Sequence, residues 1–130
     1  MPEGPITFEN GYVNGIIDLQ TVESIREMLK IDVIIKDSKG NVLSETAVVG
    51  TGSVIRYNDT DYTIVIKGDI NGDGKVDAID YLMAKRAFLK TYSLNDVQLK
   101  AACLENTVLP TTKDYLKIKR HFLGTFNLYA

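Results

Sequence analysis

The chain has one cysteine, one histidine and no tryptophan among its 130 residues. A lone Cys103 excludes an internal disulfide and any multi-cysteine zinc site. His121 is the sole histidine, no G-x-S-x-G run occurs, and Cys103 has no histidine near it in sequence. With no visible acid, base or nucleophile cluster, we expect no catalytic activity and no small-molecule substrate. A basic surplus is missing too. The 15 Lys and Arg residues face 17 Asp and Glu, which points away from a nucleic-acid partner. No apolar run approaches the ~20 residues that span a bilayer, so no membrane partner is expected. The opening residues, Met1-Pro2-Glu3-Gly4-Pro5, lack the basic-then-apolar plan of a secretory signal, and an exported parent protein would carry its signal outside this stretch.

What is present has two textures. Residues 6–67 read as strands with one helix. Val22, Ile25, Met28 and Leu29 fall at helical spacing within 19–30, and Thr21 is placed to cap the start. Residues 32–36 are β-rich, and Ser38-Lys39-Gly40-Asn41 supplies a turn into a further strand at Val42-Leu43-Ser44. Gly50-Thr51-Gly52 marks a tight backbone feature before a strand at 53–57, with another turn at 58–61. Tyr62, Ile64 and Ile66 then alternate with Thr63, Val65 and Lys67, as a strand requires. Only Gly68 separates this strand from the region at 69–130, so the two regions should pack together.

Residues 69–130 read as two helices joined by long loops, and they repeat internally. At an offset of 34, Asp80-Tyr81-Leu82 aligns with Asp114-Tyr115-Leu116, Lys85-Arg86 with Lys119-Arg120, Phe88-Leu89 with Phe122-Leu123, Thr91 with Thr125 and Leu94 with Leu128. Before the first helix, residues 69–80 fit a calcium loop. Calcium takes six to eight oxygens, and a loop can wrap it only with short oxygen-bearing side chains at alternate positions. Asp69, Asn71 and Asp73 supply these, Gly74 sits where the chain must turn sharply, and Lys75 offers its backbone carbonyl. Asp77 can act directly or through water, and Asp80 is the final ligand in place of the usual Glu. Asp77 and Asp80 can also form the cap of the following helix, and Val76 should point into the core. A strand rather than a helix leads in, which argues against a calmodulin-like switch.

The run from Gly68 to Asp77, followed by Asp80-Tyr81-Leu82 and Lys85-Arg86, resembles the first half of a type I-like dockerin. Dockerins are two-repeat calcium modules that plug enzymes and scaffold proteins into cohesin domains of bacterial cellulosome-type assemblies. The resemblance divides the chain into an X-module-like unit at 6–67 and a dockerin-like unit at 68–130, with repeats at 69–94 and 103–128. It implies an α+β fold in which a small β-rich unit packs against a mainly helical, EF-hand-like module. In the family the second repeat also binds calcium. Here Cys103 replaces the first ligand, Thr107 the third and Val108 the turn glycine, leaving only Glu105 and Asp114 as carboxylates. We therefore expect one calcium ion, with the second loop held shut by Val108, Leu109 and Pro110, a Thr111-to-Asp114 capping box, and Cys103 buried.

The resemblance further implies a cohesin-binding face carrying Lys85, Arg86, Lys119 and Arg120 beside exposed leucines. On the first helix we place Ile79, Leu82, Met83 and Leu89 with them. Lys85 and Lys119 sit within apolar arcs, where laying the stem on the core edge is the alternative role. Ile79, Met83 and Ala87 correspond to Lys113, Lys117 and His121 on the second helix, an asymmetry that favours one binding orientation. Alternatively, those three pack on the N-terminal unit. The functional expectation is a calcium-dependent docking module of a secreted or cell-surface bacterial protein of polysaccharide degradation. The alternative is a calcium-stiffened structural module of a surface protein without a cohesin partner.

Overall fold

The computed structural model describes residues 6–30, 33–57, 59–104 and 109–125. Five short strands form one sheet in the order β1-β2-β5-β4-β3. β1 (Thr7–Glu9) and β2 (Tyr12–Asn14) form a hairpin across Asn10 and Gly11, whose φ values of 52° and 82° make the mirror-image turn that matches strand twist. This hairpin is finer than the sequence reading, although Asn-Gly between β-prone residues is its usual signal. β3 (Ile34–Lys36), β4 (Val54–Tyr57) and β5 (Thr60–Ile64) pair antiparallel, and β5 pairs parallel with β2.

One face of this sheet is covered by α1 (Val22–Leu29). Thr21 Oγ1 accepts the Ser24 N–H at 3.2 Å while Ser24 Oγ accepts the Thr21 N–H at 2.8 Å, a capping box. Val22 and Ile25 bury with Val13, Ile35, Ile55 and Ile64 in a first core. Phe8 closes its edge, stacked on Tyr57 at 4.2 Å between ring centroids. The strand expected at 42–44 is reduced to a single bridge, Lys36 to Val42. The chain leaves the sheet because its next carbonyls have other work: Ala47 and Glu45 accept the N–H groups of Val22 and Glu23, two donors a helix start leaves open.

The helical region holds α2 (Ala78–Phe88), α3 (Asp96–Ala102) and α4 (Thr112–Phe122). The sequence reading has two helices here, so α3 is a correction. At 7 residues it is too short to show a clear apolar period, but Asn95 and Gln98 form its capping box. Val65, Ile70, Val76, Ala84, Ala101, Ala102 and Ile118 make a second core, against which Tyr12, Tyr81 and Tyr115 pack.

Strand alternation joins the two cores. Val13 and Ile64 face the first, while their neighbours Tyr12 and Val65 face the second. The sheet is thus a shared wall at its β2–β5 side, and Lys100 of α3 places its ammonium 4.4 Å from the Tyr12 ring centroid. β5 ends at Ile64 because Thr51 Oγ1 takes over pairing beyond it, accepting the Ile66 N–H at 2.9 Å and donating to the Ile66 carbonyl at 3.2 Å.

Candidate metal centre and docking face

The second core holds both ends of the loop at 69–80, through Ile70 and Val76. Between these anchors the loop satisfies its own backbone. Asp69 Oδ1 accepts the Gly72 N–H at 3.1 Å and Oδ2 accepts the Gly74 N–H at 2.9 Å. Asn71 Oδ1 accepts from Asp73 N–H at 3.2 Å, and Asp73 Oδ1 accepts from Lys75 N–H at 2.9 Å. Gly74 has φ 84° in the turn, the conformation its position was read to need. At the far end Asp77 caps α2 by accepting the Ile79 N–H, and Asp80 accepts the Asp77 N–H at 2.9 Å with Oδ2. Asp80 Oδ1 reaches back to the N–H groups of Ile70 and Asn71 at 2.8 and 3.0 Å, clasping the start of the loop to its end.

This folding brings carboxylate oxygens of Asp69, Asp73 and Asp80 within 4.8 Å of one another. Asp69 and Asp80 are fully buried, and Asp73 is exposed. Burial pushes Asp69 up to about 6, and the charge of Asp73 adds to the rise. Burial pushes Asp80 up to about 7, with the charges of Asp69 and Asp77 adding. Among the described residues no cationic side chain makes an ion pair with these three. Crowded, desolvated carboxylates with an oxygen-only donor set fit a hard divalent cation and offer a soft metal nothing. Asn71 joins the cluster through Asp73, Asp77 stands at the helix start, and the exposed Lys75 follows the turn.

The second loop keeps half of this design. Asp114 is fully buried and accepts the Leu104 N–H at 3.2 Å and the Thr111 N–H at 2.7 Å, as Asp80 does 34 residues earlier. Thr111 and Asp114 form the expected capping box, and Cys103 and Pro110 are buried. Leu109 is exposed, at 49%. Glu105, Thr107 and Val108 lie outside the described residues. Sequence reasoning missed Lys67, whose ammonium donates to the carbonyls of Lys100 at 2.8 Å and Cys103 at 3.1 Å at the end of α3. Burial pushes that ammonium below its ordinary value. No motif announces such a contact.

α2 and α4 pack through aromatic rings, Tyr81 on Tyr115 at 5.9 Å and Phe88 on Tyr115 at 5.5 Å between centroids. Lys85 and Lys119 both stand over Tyr81, at 5.8 and 5.7 Å. Lys85 is half-buried, and Arg86, Lys119 and Arg120 are exposed. Ile79 and Leu82 on α2 and Leu89 at its C-cap are exposed, at 55%, 44% and 56%. Met83 is half-buried against the second core and Ala87 is buried. On α4, the counterpart of Ala87 is His121, whose Nε2 lies 3.1 Å from Asp18 of the N-terminal region. α4 thus contacts the N-terminal region through His121.

The helix ends repeat as closely as the loops. Lys90 and Thr91 donate to the carbonyls of Ala87 and Arg86, and Gly124 and Thr125 donate to those of His121 and Arg120. Both ends are thus the same left-handed terminating turn. Residues 67–123 match the family model of the dockerin type I domain. No curated protein and no solved structure matches the chain. Two matching helices, one complete acidic loop and one altered copy occupy that stretch, and the chain accordingly carries a type I dockerin domain, a non-catalytic, calcium-binding module of the kind that docks onto cohesins.

Proposed function

We propose that residues 68–130 dock the parent protein onto a cohesin of a bacterial polysaccharide-degrading assembly, with 6–67 as an X-module-like partner unit. One calcium ion is held by Asp69, Asn71, Asp73, the Lys75 carbonyl, Asp77 and Asp80. The observation that carries this reading is the exposed strip of Ile79, Leu82, Arg86 and Leu89 on α2 and its C-cap. It lies on the helix whose first turn is built from the acidic loop. Exposed apolar side chains beside exposed cations suit a partner with an apolar centre and an acidic rim. Lys85, Lys119 and Arg120 extend the charged part of that face, and Met83 supports it from beneath.

The two helices do not offer equal faces. α2 shows Ile79 where α4 shows Lys113, and His121 of α4 is taken up by Asp18. One preferred orientation on the cohesin follows, led by α2. Loops of this kind suit millimolar extracellular calcium, in keeping with a secreted or cell-surface parent. The second reading, a calcium-stiffened structural module, draws on the hydrogen bond between Thr51 and Asp69 that spans the two regions.

A pulldown against cohesins of the source organism, with calcium and with chelator, separates the readings. Capture that needs calcium supports docking, with calorimetry giving about one ion per chain. Failure of every cohesin to bind the calcium-loaded chain leaves the structural module.

A further inference from the structure

Gly50-Thr51-Gly52 stands out in the sequence, and the docking function does not use it. In the fold, residues 48–51 lie directly on the acidic loop. The contact is mostly backbone on backbone. A Cβ at Gly50 would overlap the Gly72 carbonyl, and one at Gly74 would overlap Val48 Cγ1. One at Gly72 would sit 2.6 Å from the Thr51 carbonyl oxygen. Such approach leaves room for glycine only, on both sides of the boundary. Leu19 adds a bond from the same side, donating its N–H to the Gly74 carbonyl at 2.8 Å.

The contact reaches the metal centre itself. Thr51 donates its N–H to Asp69 Oδ2 at 2.9 Å, in a buried setting. A carboxylate offers about four acceptor sites. Asp69 spends three on N–H groups, those of Gly72, Gly74 and Thr51. Two belong to the loop, and the third comes from the sheet unit. Thr51 is itself fixed, because its hydroxyl bonds both the N–H and the carbonyl of Ile66. Ile66 stands just ahead of the loop, and Val49 donates its N–H to the Gln20 carbonyl at 2.8 Å. The segment is thus held by the sheet unit at one side and sets the Asp69 carboxylate at the other.

We infer that residues 48–51 are the outer wall of the calcium centre, with Thr51 a positioning residue for Asp69, so that calcium uptake and order in this segment form one linked equilibrium. This rests on the proposed calcium site and extends it: the site belongs to both units. A ligand that binds only the ordered wall stabilises the unit supplying it. Removing a partner that orients a metal ligand typically lowers affinity by ~10–100-fold.

The test uses the full chain. Gly50→Ala drives a methyl group into the Gly72 carbonyl, and calorimetry should show calcium affinity lowered at least about tenfold. Gly40→Ala is the control. It strains a turn of the same unit at φ +90° but meets nothing within 4 Å, so calcium affinity should stay unchanged. Thr51→Val, which breaks the hydroxyl bonds to Ile66, should weaken calcium in the same direction, and Thr51→Ser should restore it. Amide exchange on the parent chain gives a readout that needs no variant: calcium should slow exchange at Thr51 and its neighbours. If Gly50→Ala fails to fold, this measurement decides. Calcium uptake by the parent chain with no change in exchange at 48–51, or parent-like affinity in Gly50→Ala, overturns the inference alone. A parent chain that takes up no calcium overturns the calcium reading with it.

Discussion

The loops at 69–80 and 103–114 end on the same carboxylate and begin on different residues. Asp80 and Asp114 both accept an N–H from the start of their own loop and another from the cap of the helix that follows. The last position is therefore a clasp that closes loop onto helix. The first position decides the chemistry. Asp69 adds a second buried carboxylate beside Asp80, and with Asp73 this makes a cluster that wants a cation. Cys103 adds a buried thiol, which brings no oxygen ligand. On the proposed reading, keeping the clasp while changing the opening residue would let one copy depend on a metal and the other do without.

That contrast breaks most visibly at the clasps. Asp80→Asn should abolish calcium uptake in calorimetry and lower the Tm to that of the chelated chain or below, because binding energy in such loops adds to folding energy. Asp114→Asn should leave calcium affinity in place and cost only the ~1–3 kcal/mol of an imperfectly satisfied buried N–H, seen as a lower Tm. Equal loss of calcium from both variants would mean that the second loop also holds an ion.

A smaller effect comes with pH. In chelated protein, Asp69 and Asp80 are raised from 3.8 to about 6 and about 7 in the fold, so the folded state holds these protons more tightly than the unfolded one. Their contribution is therefore full at the acid end and is lost as pH rises through about 7. The chelated chain should melt a few degrees lower at pH 8 than at pH 5.5, read by circular dichroism. A His121→Gln background removes the imidazole from that comparison. With calcium the order should reverse, because protons and metal compete for the same oxygens. A chelated chain that gains stability with pH would contradict the crowded carboxylates.

The two helices sharpen the comparison at the partner face. Arg86 and Arg120 occupy matching places, but exposed Ile79 lies on the helix of Arg86 and charged Lys113 on the other. Arg86→Glu should weaken cohesin binding by at least about tenfold with Tm unchanged, since a rim charge acts on the partner rather than the core. Arg120→Glu should matter less. Equal losses would show two binding orientations, and a fall in Tm for Arg86→Glu would place that residue in the fold.

How much of this was legible depended on whether the signal was local. The acidic loop, its glycine and the two capping boxes lie within a few residues of chain, so Asp69 to Asp80 and Thr111 to Asp114 read out directly. The 34-residue repeat was legible because it compares the sequence with itself. α3 escaped because its 7 residues complete too few turns for a period to show. The lost strand at 42–44 turned on the carbonyls of Glu45 and Ala47 being claimed by a helix start some 20 residues earlier. Lys67 on Cys103, His121 on Asp18 and Thr51 on Asp69 join residues 36, 103 and 18 positions apart. No periodicity reports such contacts. Gly50-Thr51-Gly52 was legible as a tight feature, but what it tightens against emerged only in three dimensions.

The smallest expected effect lies where the repeats agree in shape and differ in residue. Both helix ends turn through a left-handed residue, Lys90 at φ 62° and Gly124 at φ 81°. A side chain in that conformation costs about 1–2 kcal/mol, and glycine avoids the cost while losing more chain entropy on folding. Lys90 is exposed, and in this turn it contributes its N–H to Ala87, a bond any residue but proline can make. Lys90→Gly should therefore stabilise the chain by ~0.5–1 kcal/mol, with calcium affinity unchanged. Gly124→Lys should cost about as much, because it meets nothing within 4 Å and its penalty is conformational alone. Thermal melts of the single variants and of the double exchange test this directly, and the double exchange should return close to the parent Tm. A Lys90→Gly variant that melts lower than the parent would show that the Lys90 side chain stabilises the first helix end, and the two turns would be alike in backbone only.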